Sequence, residues 1–301
     1  MIKNNNKVVV LAGGWTSESK ISRETAKFCV NAACESGWEA NIVELTKNVP
    51  DELKKLKPNC VLNALHGQIG EDGSIQGLLN VMGIPYTHSG VLASAVAMDK
   101  LTSKIIFNSI NINTPNTLSL DNKSLLKPKN YNGNYVIKPK NEGSSFGVKI
   151  ITKNMVTPKR NEWPKNCLLM AEEYINGKEL TVGVLDGKAL CVTEIISTPK
   201  FYDFEAKYSI GKSKHILPAK IPEKITKLAK KWAEMAFKSL GCRGIARADF
   251  KWDEKYQKLY LLEINTQPGM TKTSLLPEQA KFCGISNKLL INYLLENAKC
   301  D

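Results

Sequence analysis

Two stretches near the C-terminal end bring charged and oxygen-bearing side chains together at a spacing of two. Gly244 to Trp252 carries Arg247 and Asp249, and Lys258 to Asn265 carries Glu263 and Asn265, with a turn over Asp253 to Gln257 between them. Side chains alternate faces along a strand, so Arg247 and Asp249 share a face of their strand, and so do Glu263 and Asn265 of theirs. A hairpin turn at 253–257 sets Asp249 near Glu263 and Arg247 near Asn265. A register slip of one residue would put the two sets on opposite faces. In the first register, three hard oxygen donors converge with one guanidinium. That donor set suits Mg²⁺, which keeps phosphate oxygens and waters as its other ligands. The guanidinium would stabilise charge developing on a transferring phosphoryl group or a tetrahedral oxyanion. The bland alternative is a solvated face with a cross-strand Arg247–Asn265 pair. Glu263 argues against it, because it ends an apolar run (Leu259 to Leu262) where an unpaired carboxylate is costly.

Two loops add anion chemistry. Thr266 to Ser274 is rich in glycine and hydroxyls, which suits backbone N–H groups approaching an anion. Gly143, Ser144 and Ser145 follow Lys138 and suit a lid over a phosphate. An ordinary hairpin turn explains the second loop equally well. No Walker A pattern occurs. Phe201 to Tyr208 is aromatic-rich and reads structurally as a strand.

These groups need elements to position them. Val8 to Ala12 is a β-branched run ending at Gly13 and Gly14, and a helix is predicted over 21–36. Cys60 to Ala64 is a second buried strand, ending at Leu65, His66 and Gly67. Strands alternating with helices indicate a parallel layer that gathers ligands at the carboxyl ends of its strands. Alone, Gly13-Gly14 reads as a tight turn and His66 as a structural histidine. A helix is predicted over 100–109. Tyr135 to Pro139 and the residues after Gly147 read as a hairpin, and 168–174 as an apolar strand. Ile225, Leu228, Trp232, Met235, Ala236 and Leu240 recur at helical spacing, with Gly241 as the stop.

Composition narrows the class. The chain has 301 residues, 42 Lys+Arg against 29 Asp+Glu, and a formal charge of +13. At about 100–200 residues per domain, two or three domains are expected. Only Arg23, Arg160, Arg243 and Arg247 are arginines, and the lysines are scattered without interleaved aromatics. The charge therefore reads as a solvated surface, with no nucleic-acid partner. No apolar run approaches a membrane span, and Met1 to Lys7 lacks the apolar core of a signal peptide. The expected location is cytoplasmic, with no membrane partner and eight reduced cysteines.

The separated pieces, in this order, resemble the D-alanine–D-alanine ligases of the ATP-grasp superfamily. The matching motifs are Leu11 to Gly14 with Glu18 and Ser22, Ala64 to Gly67 with Gly70 to Gly73 and Gln76-Gly77, and Pro85 to Gly90. They continue with Met98 to Lys100, Lys138-Pro139, Glu142 to Ser145, Tyr202 to Tyr208 and Glu263 to Met270. The resemblance covers residues 7 to 295. It implies an α/β (α+β) chain with the ATP-grasp fold: a Rossmann-like parallel-sheet domain over 1–90, a central α+β lid domain over 91–175 and an antiparallel-sheet catalytic domain over 176–301. It implies ATP- and Mg²⁺-dependent (or Mn²⁺-dependent) joining of two D-alanines through a D-alanyl phosphate for peptidoglycan precursors. Phosphorylation gives a carboxylate the leaving group it lacks, and catalysis is then mostly positioning and charge stabilisation.

Carried over by position, Asp249, Glu263 and Asn265 match the ligands of two Mg²⁺ ions. Lys100, Lys138, Ser145 and Lys207 match phosphate-binding positions; Glu172, Glu173 and Ile175 match the adenine hinge; and Glu179 matches the ribose carboxylate. Arg247 and the Gly269 N–H match an oxyanion-stabilising pair. Glu18 and His66 match the first D-alanine site, and Ser274 and Leu275 the second. Glu18, Ser144 and Tyr208 match a hydrogen-bonded trio that closes the loops. The resemblance also implies a homodimer and allows activation by a monovalent cation. Glu173 and His88 depart from the common pattern, which has Lys and Gly there. Tyr208 favours the dipeptide over a D-lactate ester; His215, seven residues on, weakens that point slightly. The competing readings are another ATP-grasp carboxylate–amine ligase and a basic binding protein that retains the motifs without turnover.

Overall fold

The computed structural model describes residues 6–16, 18–120, 133–143, 146–152, 155–197 and 213–301. Element labels number the described helices and strands. The first sheet is parallel, in the order β2–β1–β3, from β1 (Lys7–Ala12), β2 (Glu39–Glu44) and β3 (Cys60–Asn63). The crossovers are α1 (Ser19–Glu35) and α2 (Val49–Leu56). Val8 and Val10 join the cluster of Ala26 and Cys29 from α1, while Val9 and Leu11 join that of Val49 and Leu53 from α2. Helices on both faces explain why the run from Val8 to Ala12 has no polar member.

Three helices follow: α3 (Ser74–Met82), α4 (Val91–Met98) and α5 (Lys100–Ser109). Asp99 caps α5, accepting from the Leu101 and Thr102 N–H groups at 3.1 and 3.0 Å. The same carboxylate takes Lys140 Nζ at 2.7 Å. That cap fixes where α5 begins and so where Lys100 and Lys104 point.

The second sheet is antiparallel, in the order β4–β7–β5–β6, from β4 (Thr117–Ser119), β5 (Tyr135–Pro139), β6 (Lys149–Ile151) and β7 (Leu169–Glu173). β5 and β6 pair as the predicted hairpin, Tyr135 opposite Ile151. The third sheet runs β10–β9–β8–β11–β12, all antiparallel, from β8 (Lys178–Leu185), β9 (Lys188–Ser197), β10 (Ser213–Ile216), β11 (Ile245–Asp253) and β12 (Lys258–Asn265). On one face lies α6 (Glu223–Ser239), whose Ile225, Ala229, Trp232 and Ala236 pack with Val182, Val184, Ala248 and Phe250. Leu228 and Met235 are only partly buried at the edge of that core. Ala97, Phe107 and Ile112 enter the same core and tie α4 and α5 to this sheet.

The other face carries α7 (Leu275–Phe282). The last helix, α8 (Asn287–Glu296), packs Leu290 and Leu294 with Val8 and Ala26, closing the C-terminal end onto the first sheet. Two elements leave little trace in hydropathy. β2 buries only Val43, and α7 is eight residues long with a proline in its first turn. All eight cysteines are free, and burial pushes the Cys60 thiol up to about 12. Among the described residues, no helix is long and apolar enough to cross a membrane.

Candidate active site

The hairpin takes the register expected of it. Arg247 stands opposite Asn265, and Asp249 opposite Glu263. A bulge follows at Asp249–Phe250, so the polar end of the hairpin is in register and the apolar end is offset. The guanidinium of Arg247 forks onto Asp249, with Nε donating to Oδ1 at 2.9 Å and Nη2 to Oδ2 at 2.7 Å. This ion pair runs along the strand, where the bland alternative placed a cross-strand pair with Asn265. On the neighbouring strand, Thr181 Oγ1 donates to Asp249 Oδ1 at 2.7 Å. Asn265 Oδ1 accepts from the Gln267 N–H at 2.8 Å, which bends the chain into the Thr266–Ser274 loop.

The carboxylates of Asp249 and Glu263 are therefore neighbours, each beside a cation: Arg247 for the first, and Lys100 Nζ at 3.4 Å for the second. Lys100 also donates to the Glu142 carbonyl at 2.7 Å, tying α5 to the loop after β5. Two adjacent carboxylates and an amide oxygen on one face form an oxygen-only donor set, which fits Mg²⁺ or Mn²⁺. Among the described residues, no cluster of three or more His, Cys, Asp or Glu side chains has metal-binding geometry; here the third donor is an asparagine.

Two clefts meet at this point. The larger has a volume of about 600 Å³ and runs between the second and third sheets. Val136, Ile150, Ile175 and Leu262 give it apolar walls, and Lys138, Glu172, Glu173 and Glu179 give it polar ones. Its size and flat apolar walls suit a purine nucleotide. Glu172 is buried between two ammonium groups: Oε1 accepts from Lys138 at 2.6 Å, and Oε2 contacts Lys104. Burial alone would raise the Glu172 carboxyl, but Lys104 and then Lys138 hold it down to about 2. Burial pulls the Lys104 ammonium down to about 8 despite the carboxylate beside it. Glu179 Oε2 pairs with Lys251 at 3.2 Å, and Glu173 accepts from Asn116 at 3.2 Å.

The smaller cleft opens toward the first sheet and is lined by Glu18, His66, Glu71, Arg247, Gly269, Ser274 and Leu275. Glu18 precedes α1, and its carboxylate lies over Gly67; a Cβ on Gly67 would stand 2.2 Å from Glu18 Oε2. Gly67 also has φ +69, a left-handed backbone that favours glycine. The same carboxylate reaches Gly143, the last described residue before Ser144. His66 is buried with both nitrogens engaged, Nε2 with Thr25 Oγ1 at 3.0 Å and Nδ1 with Glu71 Oε1 at 3.4 Å. Across the cleft, Ser274 Oγ accepts from the Thr271 N–H at 2.9 Å and lies 3.1 Å from where a Gly269 Cβ would be. Leu275 packs with Ile195.

Lys100, Glu142 and Glu263 line both clefts. The fold thus gathers Glu18, His66, Arg247, Gly269, Ser274 and Leu275 around one cavity, and Lys138, Glu172, Glu173, Ile175 and Glu179 around the other. Asp249, Glu263 and Asn265 stand where the two meet. Ser144, Ser145, Lys207 and Tyr208 lie outside the described residues. His215 pairs with Glu278 of α7 at 2.8 Å. Sequence reasoning passes over Lys104, Thr181 and Gln279, and names Glu71 only within the Gly70–Gly73 motif. Lys104 has a signal, its i+4 spacing from Lys100. The partners of Thr181 and Gln279 are 68 and 96 residues away, and no local pattern announces them.

The chain is similar over nearly its whole length to proteins of known activity. The family model described as "D-ala D-ala ligase C-terminus" matches residues 121–296, and that described as "D-ala D-ala ligase N-terminus" matches residues 46–89. The D-alanine–D-alanine ligase of Rhodospirillum rubrum is 43% identical, with 99% of each chain covered. That of Zymomonas mobilis is 45% identical, covering 97% of this chain and 93% of the relative. The crystal structure of the Bacillus anthracis D-alanine–D-alanine ligase complexed with ATP superposes with a TM-score of 0.81, at 28% identity and 96% coverage of both chains. The chain belongs to the D-alanine–D-alanine ligase family.

Proposed function

We infer that this chain condenses two D-alanines at the expense of ATP, giving D-alanyl-D-alanine, ADP and phosphate for peptidoglycan precursors. One observation carries the reading: a nucleotide-sized cleft and a small polar cleft share a wall made by Lys100, Glu142 and Glu263. A phosphoryl group leaving the first cavity arrives where an amino acid carboxylate in the second would receive it.

In this reading the nucleotide base lies along β7 at Glu172, Glu173 and Ile175, with Glu179 at the ribose. Lys100 and Lys138 face the phosphates, and Ser145 and Lys207 are assigned there with them. Asp249, Glu263 and Asn265 would hold Mg²⁺ or Mn²⁺, which when bound neutralises phosphate charge and aligns the transferring group. Glu18 faces the ammonium of the first D-alanine, beside His66. The carboxylate of that substrate attacks the γ-phosphorus, and the acyl phosphate forms as ADP leaves. Ser274 and Leu275 hold the second D-alanine, whose amine attacks the acyl carbon. Arg247 and the Gly269 N–H stabilise the tetrahedral oxyanion, and phosphate departs. Ser144 and Tyr208 complete the loop-closing trio with Glu18.

The proposal includes a three-part division at 1–90, 91–175 and 176–301, a homodimer and a cytoplasmic location, which rest on the resemblance to the family. A coupled ADP-release assay with D-alanine, L-alanine and D-lactate tests the reading. ADP release that requires D-alanine is expected. Release with L-alanine instead, or release without any amino acid, would contradict it. Strong release with D-lactate as co-substrate would make the product an ester.

A further inference from the structure

Lys104 takes no part in the scheme above, yet it is the most deeply buried ammonium group described near the nucleotide cleft, its side chain 2% exposed. It lies one turn after Lys100 on α5 and contacts Glu172 Oε2. Glu172 and Lys138 line the cleft, and Lys104 stands behind that wall, outside the lining. One buried carboxylate thus has two counter-charges: Lys138 on the cleft side at 2.6 Å and Lys104 on the core side.

We propose that Lys104 is a positioning residue for nucleotide binding: by pairing with Glu172 from the core side, it leaves Lys138 free to turn toward the nucleotide's phosphates. With Lys138 as the sole counter-charge, each binding event would strip Glu172 of its partner, and an uncompensated buried carboxylate is costly. That cost would appear as lost affinity for phosphate-bearing ligands. With Lys104 in place, Glu172 stays paired wherever Lys138 points, and the trio of Lys104, Glu172 and Lys138 keeps one net positive charge beside a polyanion. Lys104 loses part of its proton affinity to burial yet remains charged at neutral pH, and Glu172 remains ionised, so the pairing holds under working conditions. The proposal rests on the reading of the larger cleft as an ATP site.

Calorimetric titration of the full chain with ATP, ADP and adenosine tests it, beside thermal unfolding. For Lys104→Met, ATP and ADP affinity should fall about tenfold or more. Adenosine has no phosphate for Lys138 to meet, so its affinity should change by less than about threefold. Lys104→Arg should keep ATP affinity near wild type. Equal weakening of all three ligands, or unchanged ATP binding by Lys104→Met, would overturn the proposal. If Lys104→Met does not fold, Lys104→Met/Glu172→Gln is compared with Glu172→Gln alone. An amide needs no counter-charge, so those two variants should bind ATP within about threefold of each other, and a further tenfold loss in the double variant would overturn the proposal. A wild-type chain that binds neither ATP nor adenosine would overturn the cleft reading, and this proposal with it.

Discussion

At the scale of the residue, Glu263 carries the largest load. It follows an apolar run in β12, stands opposite Asp249, and meets Lys100 at 3.4 Å where the two clefts join. Glu263→Gln keeps the size and one oxygen donor but removes the charge that a divalent cation and Lys100 both answer. Turnover should drop about 100-fold or more, the equivalent of several kcal/mol of charge stabilisation. The fold should survive, because Asp249 keeps its own pair with Arg247 and its bond from Thr181. Steady-state ADP release across a Mg²⁺ titration checks this, with circular dichroism as the folding control. Full activity at saturating Mg²⁺ would remove Glu263 from the ligand set. The charge logic of this hairpin is legible in the sequence because strand periodicity and a short turn together specify which side chains face each other. The fork of Arg247 onto Asp249 is not, because a two-residue spacing permits that pair and a cross-strand one alike.

At the scale of the element, α7 begins at the Thr266–Ser274 loop proposed to hold the second substrate, and one buried glutamine ties α7 to the third sheet. Gln279 is fully buried. Its Oε1 accepts from the Gly183 N–H at 2.6 Å, and its Nε2 donates to Thr181 O at 3.1 Å and Thr193 Oγ1 at 2.9 Å. Thr181 in turn holds Asp249, so the helix and the carboxylate proposed as a metal ligand share one hydrogen-bond chain. Gln279→Leu leaves a buried N–H and a buried carbonyl without that partner and should cost about 2–4 kcal/mol of stability. Urea unfolding gives the cost, and the KM for D-alanine should rise as the N-terminus of α7 at Ser274 loosens. A change in KM with no loss of stability, or a loss of stability with no change in KM, would uncouple the two roles. Sequence periodicity does not announce this helix, whereas α5 and α6 are legible from end to end. The stripe of α6 packs on a broad apolar sheet face, so its spacing is regular. The buried face of α7 includes a polar residue whose three partners come from β8 and β9.

At the scale of the whole molecule, one buried histidine links the clefts to acid sensitivity. His88 lies between the first sheet and the loop after β12, with Nδ1 2.8 Å from Thr87 Oγ1 and Nε2 3.3 Å from Gln267 Nε2. Gln267 also donates to the Asn63 carbonyl at 2.6 Å, which joins the two sheets behind the small cleft. Burial first, then His66 and Arg243, push the His88 imidazole down to about 3 from an ordinary 6.5. The folded chain therefore keeps His88 neutral where the unfolded chain protonates it. The sign follows: this contribution is neutral above pH 6.5, and stability falls as pH drops toward 3, by about 1.4 kcal/mol per pH unit. His88 has φ +71, a conformation asparagine tolerates, so His88→Asn removes the titration without added backbone strain. Unfolding free energies at pH 7, 6 and 5 should decline less steeply in the variant; an identical decline would place the acid sensitivity elsewhere. Each sheet has one member legible in the sequence: the β-branched run from Val8, the hairpin from Tyr135 and the hairpin over 244–265. Apolar packing of Leu276, Leu290 and Leu294 with Val8 and Ala26 joins the first and third sheets, and long-range polar contacts, Gln267 to Asn63 and Lys104 to Glu172, add ties that no window of sequence contains.

In the proposed reaction, the shared wall at Lys100 and Glu263 passes a phosphoryl group from a nucleotide to a D-alanine carboxylate. D-alanine labelled with ¹⁸O in its carboxylate, turned over with unlabelled ATP and Mg²⁺, tests this most directly. Attack by the carboxylate moves one of its oxygens onto the phosphoryl group, so mass spectrometry should find one ¹⁸O in each phosphate released with D-alanyl-D-alanine. Phosphate without label, formed alongside the dipeptide or without it, would contradict the account.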